Sequence, residues 1–159
     1  MWRPATSADD DAVVAMCLEL NREDPGPRPV GAEQVRRTLV AFREEPHRGR
    51  TVVLERDGRV TGYALLVSFW SNELGGETCV VDEVYVVPEE RGRGHASRLL
   101  QDVARDRTLW PREPAAVSVE VTPANGRARA LYRRLGFAGG NVALILRPPW
   151  PPSGADGGS

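Results

Sequence analysis

The stretch Arg91-Gly92-Arg93-Gly94-His95-Ala96-Ser97 combines glycine freedom, positive charge and the start of a helix-like run. That combination suits anion binding. Backbone N–H groups at a helix start lack intrahelical partners and carry partial positive charge. Gly92 and Gly94 let the chain curl so that such donors converge, which makes a cradle suited to a pyrophosphate. Arg91 and Arg93 add guanidinium groups able to grip phosphate with two bonds. Ala96 is small and keeps bulk out of a ligand's path. The same loop also reads as a plain strand-to-helix connection with surface arginines. Gly-x-Gly alone is weak, and the spacing is neither that of a Rossmann fingerprint nor that of a P-loop. A second group is NGRARALYRRLGF, residues 125–137. Asn125 is a good helix cap, and Tyr132, seven residues on, returns to nearly the same face. Gly136 can end that helix in a left-handed conformation, with Phe137 packing back onto it. An ordinary amphipathic helix with Leu131 and Leu135 in the core accounts for the same residues.

These groups need elements to hold them. Before the glycine loop stands VVDEVYVV (80–87), whose β-branched and aromatic residues favour a strand over 78–87. After it, Leu99, Leu100, Val103 and Ala104 recur at helical spacing, which predicts a helix over 94–107. Upstream, residues 2–5 read as a short strand. Thr6-Ser7 and Asp9, Asp10 and Asp11 then mark a helix start, the carboxylates lying at the positive end of its dipole. The proline-rich DPGPRPVG stops that helix, and a second follows over 32–45. Asp57-Gly58 joins two strands as a hairpin, and SNELGGE offers another turn. A strand over 115–122, a helix over 125–136 and a strand over 142–147 complete the order β-α-α-β-β-β-α-β-α-β. This predicts an α/β domain over 1–147: a mixed central sheet, hairpins first and crossover helices later, with helices on both faces. Residues 148–159 read as a disordered tail of Pro, Gly and Ser.

A chain of 159 residues suits one domain with a real core. A net charge of −1 gives no electrostatic case for nucleic acid or an anionic membrane. All 21 basic residues are arginine, which removes Schiff-base chemistry on a lysine. Cys17 and Cys79 lack metal or redox spacing and read as buried structural thiols in a reducing compartment. No apolar run approaches the roughly 20 residues of a membrane span. The expectation is a cytoplasmic enzyme or binding domain without metal.

Arg91-x-x-Gly94-x-Ala96 after a strand, followed by Asn125…Leu131-Tyr132…Gly136-Phe137, resembles the GCN5-related N-acetyltransferase (GNAT) family. The opening RPAT, the acidic helix start and the element order from residue 2 to about 147 are similar too. The resemblance implies a GNAT-like acyltransferase fold with acetyl-CoA as cosubstrate. Its pyrophosphate would sit against Arg91, Gly92, Arg93, Gly94, His95, Ala96 and Ser97. Its pantetheine arm would lie along the backbone of Val84, Tyr85 and Val86, with Asn125 nearby. The reaction implied is direct acetyl transfer to a primary amine of a small molecule or protein within a ternary complex.

The same resemblance puts Tyr132 at the thioester sulfur as general acid. Asp82 and Glu83 are the candidates for base and substrate binding. Neighbours on a strand point to opposite faces, so at most one of the two should face the acceptor cavity. Glu83 is the choice, since it shares a face with Tyr85. His95 departs from the more usual aliphatic residue there and reads as a helix-start residue, not a base. Trp70, on the hairpin near Gly75-Gly76, is a candidate wall for the acceptor. A non-catalytic acyl-CoA-binding or regulatory domain is the alternative on this fold. Acetyl-CoA and an amine are the implied partners, and a homodimer is left open.

Overall fold

The computed structural model describes residues 1–26 and 28–139. Five strands form one sheet in the order β1 (Trp2–Pro4), β2 (Gly49–Arg56), β3 (Arg59–Ser71), β4 (Gly76–Val86) and β5 (Ala116–Val119). The first four pair antiparallel, and β5 runs parallel to β4. Asp57 and Gly58 turn β2 into β3 with φ of 50° and 73°, the left-handed pair that a type I′ hairpin requires. The anticipated mixed sheet is therefore present. The strand anticipated over 142–147 and the tail 148–159 lie outside the described residues.

Helices cover both faces. From α1 (Asp10–Glu23) and α2 (Ala32–Glu44), Val13, Val14, Met16, Cys17, Val35 and Leu39 pack on Val53, Tyr63, Leu65 and Tyr85. On the other face, Val52, Leu54, Leu66 and Val81 meet Leu99 and Leu100 of α3 (His95–Asp102) and Tyr132 of α4 (Gly126–Arg134). The run Val52-Val53-Leu54 is buried throughout because successive side chains enter opposite cores.

Two elements are shorter than the sequence suggests. The helix anticipated over 94–107 ends at Asp102 and gives way to turns. The Asp106 carboxylate accepts from the N–H and hydroxyl of Thr108 at 2.8 and 2.7 Å. Such local bonds compete with helix propagation. The strand anticipated over 115–122 keeps only four residues, because β4 offers it no partner beyond Val81.

The acidic start of α1 also differs. Asp9 does not face solvent at the helix end; it is buried in a short 3-10 turn, Ser7–Asp9. Its carboxylate takes both arms of the Arg3 guanidinium at 2.9 and 3.0 Å, and the Thr6 N–H at 2.7 Å. The Arg3 bonds, ahead of the Thr6 ones, lower its pKa from 3.8 to about 2. A depressed carboxylate stabilises the fold above its unfolded pKa, and that contribution disappears as pH falls through the folded value. Asp9→Asn should lower unfolding free energy by about 1 to 2 kcal/mol at pH 7, solvent at the one-third-exposed Arg3 weakening the pair. The deficit should shrink between pH 4 and pH 2, as measured by urea unfolding across that range.

Candidate active site

β4 carries one residue too many for its partner. Leu66 of β3 opposes Val81, and Leu65 opposes Glu83, so Asp82 is left as a β-bulge. The bulge reverses the alternation of side chains. Cys79 and Val81 lie on the α3/α4 face, and so do Val84 and Val86, whereas Tyr85 enters the α1/α2 core. The sequence argument allowed only one of Asp82 and Glu83 to face a cavity. The bulge breaks the rule it rested on, and both acids line the same cleft.

That cleft has a volume of about 1410 Å³ and opens where β4 and β5 part. Parallel pairing stops at Val81↔Val119, while β4 stays paired to β3 as far as Val86. The Val87 N–H bonds the Thr61 carbonyl at 3.0 Å. Ladder alternation therefore turns the N–H and C=O of Val84 and Val86 to the open edge. The Val86 carbonyl is taken by Arg91 Nε at 2.7 Å. Both groups of Val84 and the N–H of Val86 remain for a ligand.

At one end of the cleft the chain leaves β4, makes a 3-10 turn (Pro88–Glu90) and reaches α3 through Gly92 and Gly94, both at φ 79°. This left-handed backbone is favoured by glycine. A Cβ at either position would meet open space, so the loop presents bare backbone. The Gly94 carbonyl accepts the Arg98 N–H at 2.9 Å and starts the helix. The N–H groups of His95, Ala96 and Ser97 form its unpaired first turn.

The arginines behave differently from the sequence expectation. Arg91 is not a free phosphate clamp. Its guanidinium binds Glu23 at 2.8 Å and lies 5.0 Å from the Tyr85 ring centre, and its N–H bonds the Pro88 carbonyl at 3.2 Å. Arg93 reaches Glu90 at 3.3 Å, and His95 meets the same carboxylate at 3.0 Å. His95 thus serves the loop, in keeping with its reading as a helix-start residue.

The opposite wall is the start of α4. Asn125 Oδ1 accepts the Ala128 N–H at 3.0 Å, the expected cap. Its Nδ2 donates to Asp24 at 2.9 Å, and Thr122 Oγ1 donates to the same carboxylate at 2.9 Å. Tyr132 lines the cleft, is largely buried and packs on Phe137 at 5.8 Å between ring centres. Burial raises its pKa above the ordinary 10, so the phenol keeps its proton at neutral pH.

Between these ends lie the acids. Glu83 Oε2 accepts from the Tyr63 hydroxyl at 2.8 Å and faces the Cys17 thiol at 3.5 Å. Asp82 reaches solvent through the open cleft. The cleft walls nonetheless raise its pKa by desolvation, and the Glu83 and Glu120 carboxylates raise it further. Trp70 lies elsewhere. It is 67% exposed and pairs with Glu77. The five residues from Glu77 to Asp82 put it about 16 Å along the strand from the acids. The hairpin tip is at the other end of β4, so Trp70 is no wall of this cleft.

Glu23, Asp24, Tyr63, Glu120 and Thr122 line or brace the site without having been singled out by sequence. One signal was available. Glu23 and Asp24 stand at the negative end of α1, where helix electrostatics disfavour acids, and such a local conflict often marks a site. Nothing in the sequence marks Tyr63 or Glu120.

The profile of the acetyltransferase (GNAT) family matches residues 13–137, and the chain belongs to that family. Solved structures agree on the fold. A possible acetyltransferase from Clostridium difficile 630 superposes with a TM-score of 0.75 at 18% identity, covering 92% of this chain and 95% of the other. A ribosomal-protein-alanine N-acetyltransferase from Brucella melitensis biovar Abortus 2308 gives 0.68 at 17%, covering 92% and 99%. An aminoglycoside N-acetyltransferase in complex with CoA gives 0.68 at 16%, covering 92% and 98%. No curated protein sequence matches significantly.

Asp82 provides a direct test of the cleft's electrostatics. Removing one carboxylate neighbour should lower its pKa but not restore the ordinary value, because desolvation is the larger cause. Carbon-13 carboxyl titration of Glu120→Gln should show Asp82 titrating at lower pH than in the wild type. An unchanged value would separate Glu120 from the acidic group.

Proposed function

We propose that this chain is an acetyl-CoA-dependent N-acetyltransferase acting on a primary amine, with both substrates held in one cleft. The observation that carries this is the splay of β4 from β5. It opens an unpaired backbone edge between a glycine cradle, a buried phenol and two carboxylates. Acetyl-CoA supplies the acetyl thioester. Gly92 to Ser97 would receive its pyrophosphate on backbone donors. Val84 and the Val86 N–H would pair with the amides of its pantetheine arm, and Asn125 would border that arm. Arg91 acts here by holding the loop to Glu23 and Val86, not by touching phosphate.

The acceptor would enter beside Asp82 and Glu83 as an ammonium, attracted by carboxylates that carry no salt bridge among the described residues. Glu83 takes its proton. The neutral nitrogen forms a bond to the acetyl carbon, the carbon–sulfur bond breaks, Tyr132 gives its proton to the leaving sulfur, and the nitrogen's second proton leaves through the cleft to restore the phenol. The acetylated amine and free CoA result. Relatives on the fold bear the names of ribosomal-protein and aminoglycoside acetyltransferases, which supports an amine acceptor and leaves its size open. Two free buried thiols suit a reducing cytoplasm.

Two variants test the halves of this reading. Gly94→Val forces a branched side chain into a left-handed position and into the cradle's open space. It should weaken CoA binding at least tenfold by calorimetry, with only a modest fall in melting temperature. Equal affinity would remove the loop from cofactor binding. Tyr132→Phe keeps the ring packed, so CoA affinity should persist while turnover falls by roughly ten- to a thousandfold. Full turnover, measured as CoA release over a panel of amines, would make Tyr132 a packing residue.

A further inference from the structure

We propose that Tyr63 is the positioning residue of the Glu83 carboxylate, fixing which of its two oxygens receives the acceptor's proton. The inference rests on the reading of Glu83 as base. Tyr63 is fully buried on β3, and its ring lies against that of Tyr85, 6.4 Å between centres. Glu83 pairs with Leu65, two residues along, so Tyr63 and Glu83 are diagonal neighbours across the ladder. The hydroxyl reaches Oε2 at 2.8 Å. From α1, the Cys17 sulfur approaches the same oxygen at 3.5 Å.

Both donors hold their protons. Burial, followed by the charge of Glu83, pushes the Tyr63 phenol far above its ordinary value. Burial likewise raises the Cys17 thiol to about 11. Oε2 is thus occupied by two donors that stay protonated at neutral pH, and a proton arriving from the cleft must settle on Oε1. The carboxylate is also held against rotation, which a base needs if it is to meet the amine in one geometry. Other ionisable groups around it are Asp82 and Tyr85 on its own strand, Glu23 on α1 and Glu120 beyond β5. Arg91 is engaged by Glu23, and Arg28, Arg127 and Arg134 line the cleft without a salt bridge to Glu83 among the described residues. Tyr63 and Cys17 are therefore the groups that stabilise the ionised form of Glu83 directly.

Tyr63→Phe removes one oxygen and keeps the ring. A carboxylate that loses a hydrogen bond from a protonated donor takes up a proton more readily. The acid limb of the kcat/KM profile should move to higher pH by about one to two units, CoA affinity should stay within a few-fold of wild type, and turnover above the limb should fall because the carboxylate is free to rotate. Cys17→Ala removes the weaker donor and should move the limb in the same direction by less. It remains informative if Tyr63→Phe folds poorly. Glu83→Gln separates the two claims. If it abolishes the limb and neither donor variant moves it, Tyr63 is an ordinary core residue and the inference fails alone. If Glu83→Gln keeps the limb, the base reading fails and the inference falls with it. A wild-type chain that releases no CoA with any amine would overturn the transferase reading itself.

Discussion

β4 has two neighbours that need different things from it. β3 pairs with it to Val86, and that pairing keeps the sheet whole. β5 pairs with it only to Val81. A regular strand would offer one edge to each along its full length, with a constant twist. The extra residue at Asp82 resolves the conflict. A bulge bends its strand and increases local twist while the ladder resumes on the other side. β4 can then stay with β3 and leave β5. The cleft, the exposed Val84 backbone and the juxtaposition of two acids all follow from that single insertion. So does the split of the cores: Val84 and Val86 return to the α3/α4 layer, and Tyr85 goes to the other.

An open edge in the middle of a sheet is unfavourable unless something compensates. Its N–H and C=O groups meet solvent instead of a partner strand, and the parted strands lose mutual support. Here the ends of other elements brace the gap. The Arg91 side chain bonds the Val86 carbonyl, reaches Glu23 and lies over the Tyr85 ring. Across the cleft, Thr122 and Asn125 both bond Asp24. Glu23 and Asp24 are consecutive, so the last turn of α1 fastens one wall with one residue and the other wall with the next. Their acids sit at the negative pole of the helix, which opposes them by roughly 0.3 to 1 kcal/mol each. Charge-assisted bonds to Arg91 and Asn125 offset that.

Local features were legible in the sequence. The glycine loop, the Asn125 cap and the Asp57-Gly58 hairpin each depend on residues close in the chain, and each appears where its chemistry predicts. The bulge was not legible, since alternation is counted along one strand but broken by the register of another. Arg91 looked like a phosphate ligand because its partner Glu23 is 68 residues away. The bond from Tyr63 to Glu83, across 20 residues of hairpin, had no local mark either. Trp70 failed for a different reason. The hairpin's existence was clear, but its tip lies at the opposite end of β4 from the acids, and only the strand register shows which end opens onto the cleft.

The bracing has a consequence for how the cleft can be dissected. Mutations at residues that share partners do not act independently. Glu23 contacts Arg91 and Tyr85 on the cradle side, and adjacent Asp24 contacts the α4 side. A substitution at either moves the end of α1 and is felt on both walls, so a change in cofactor affinity there does not identify a cofactor contact. Tyr132 and Tyr63 are different. The first packs in the α3/α4 layer and the second in the α1/α2 layer, separated by the sheet itself. Removing a hydroxyl from one leaves the packing of the other in place. The roles proposed for Tyr132 and Glu83 can therefore be tested separately, because the sheet that brings the two groups to one cleft also keeps their supports apart.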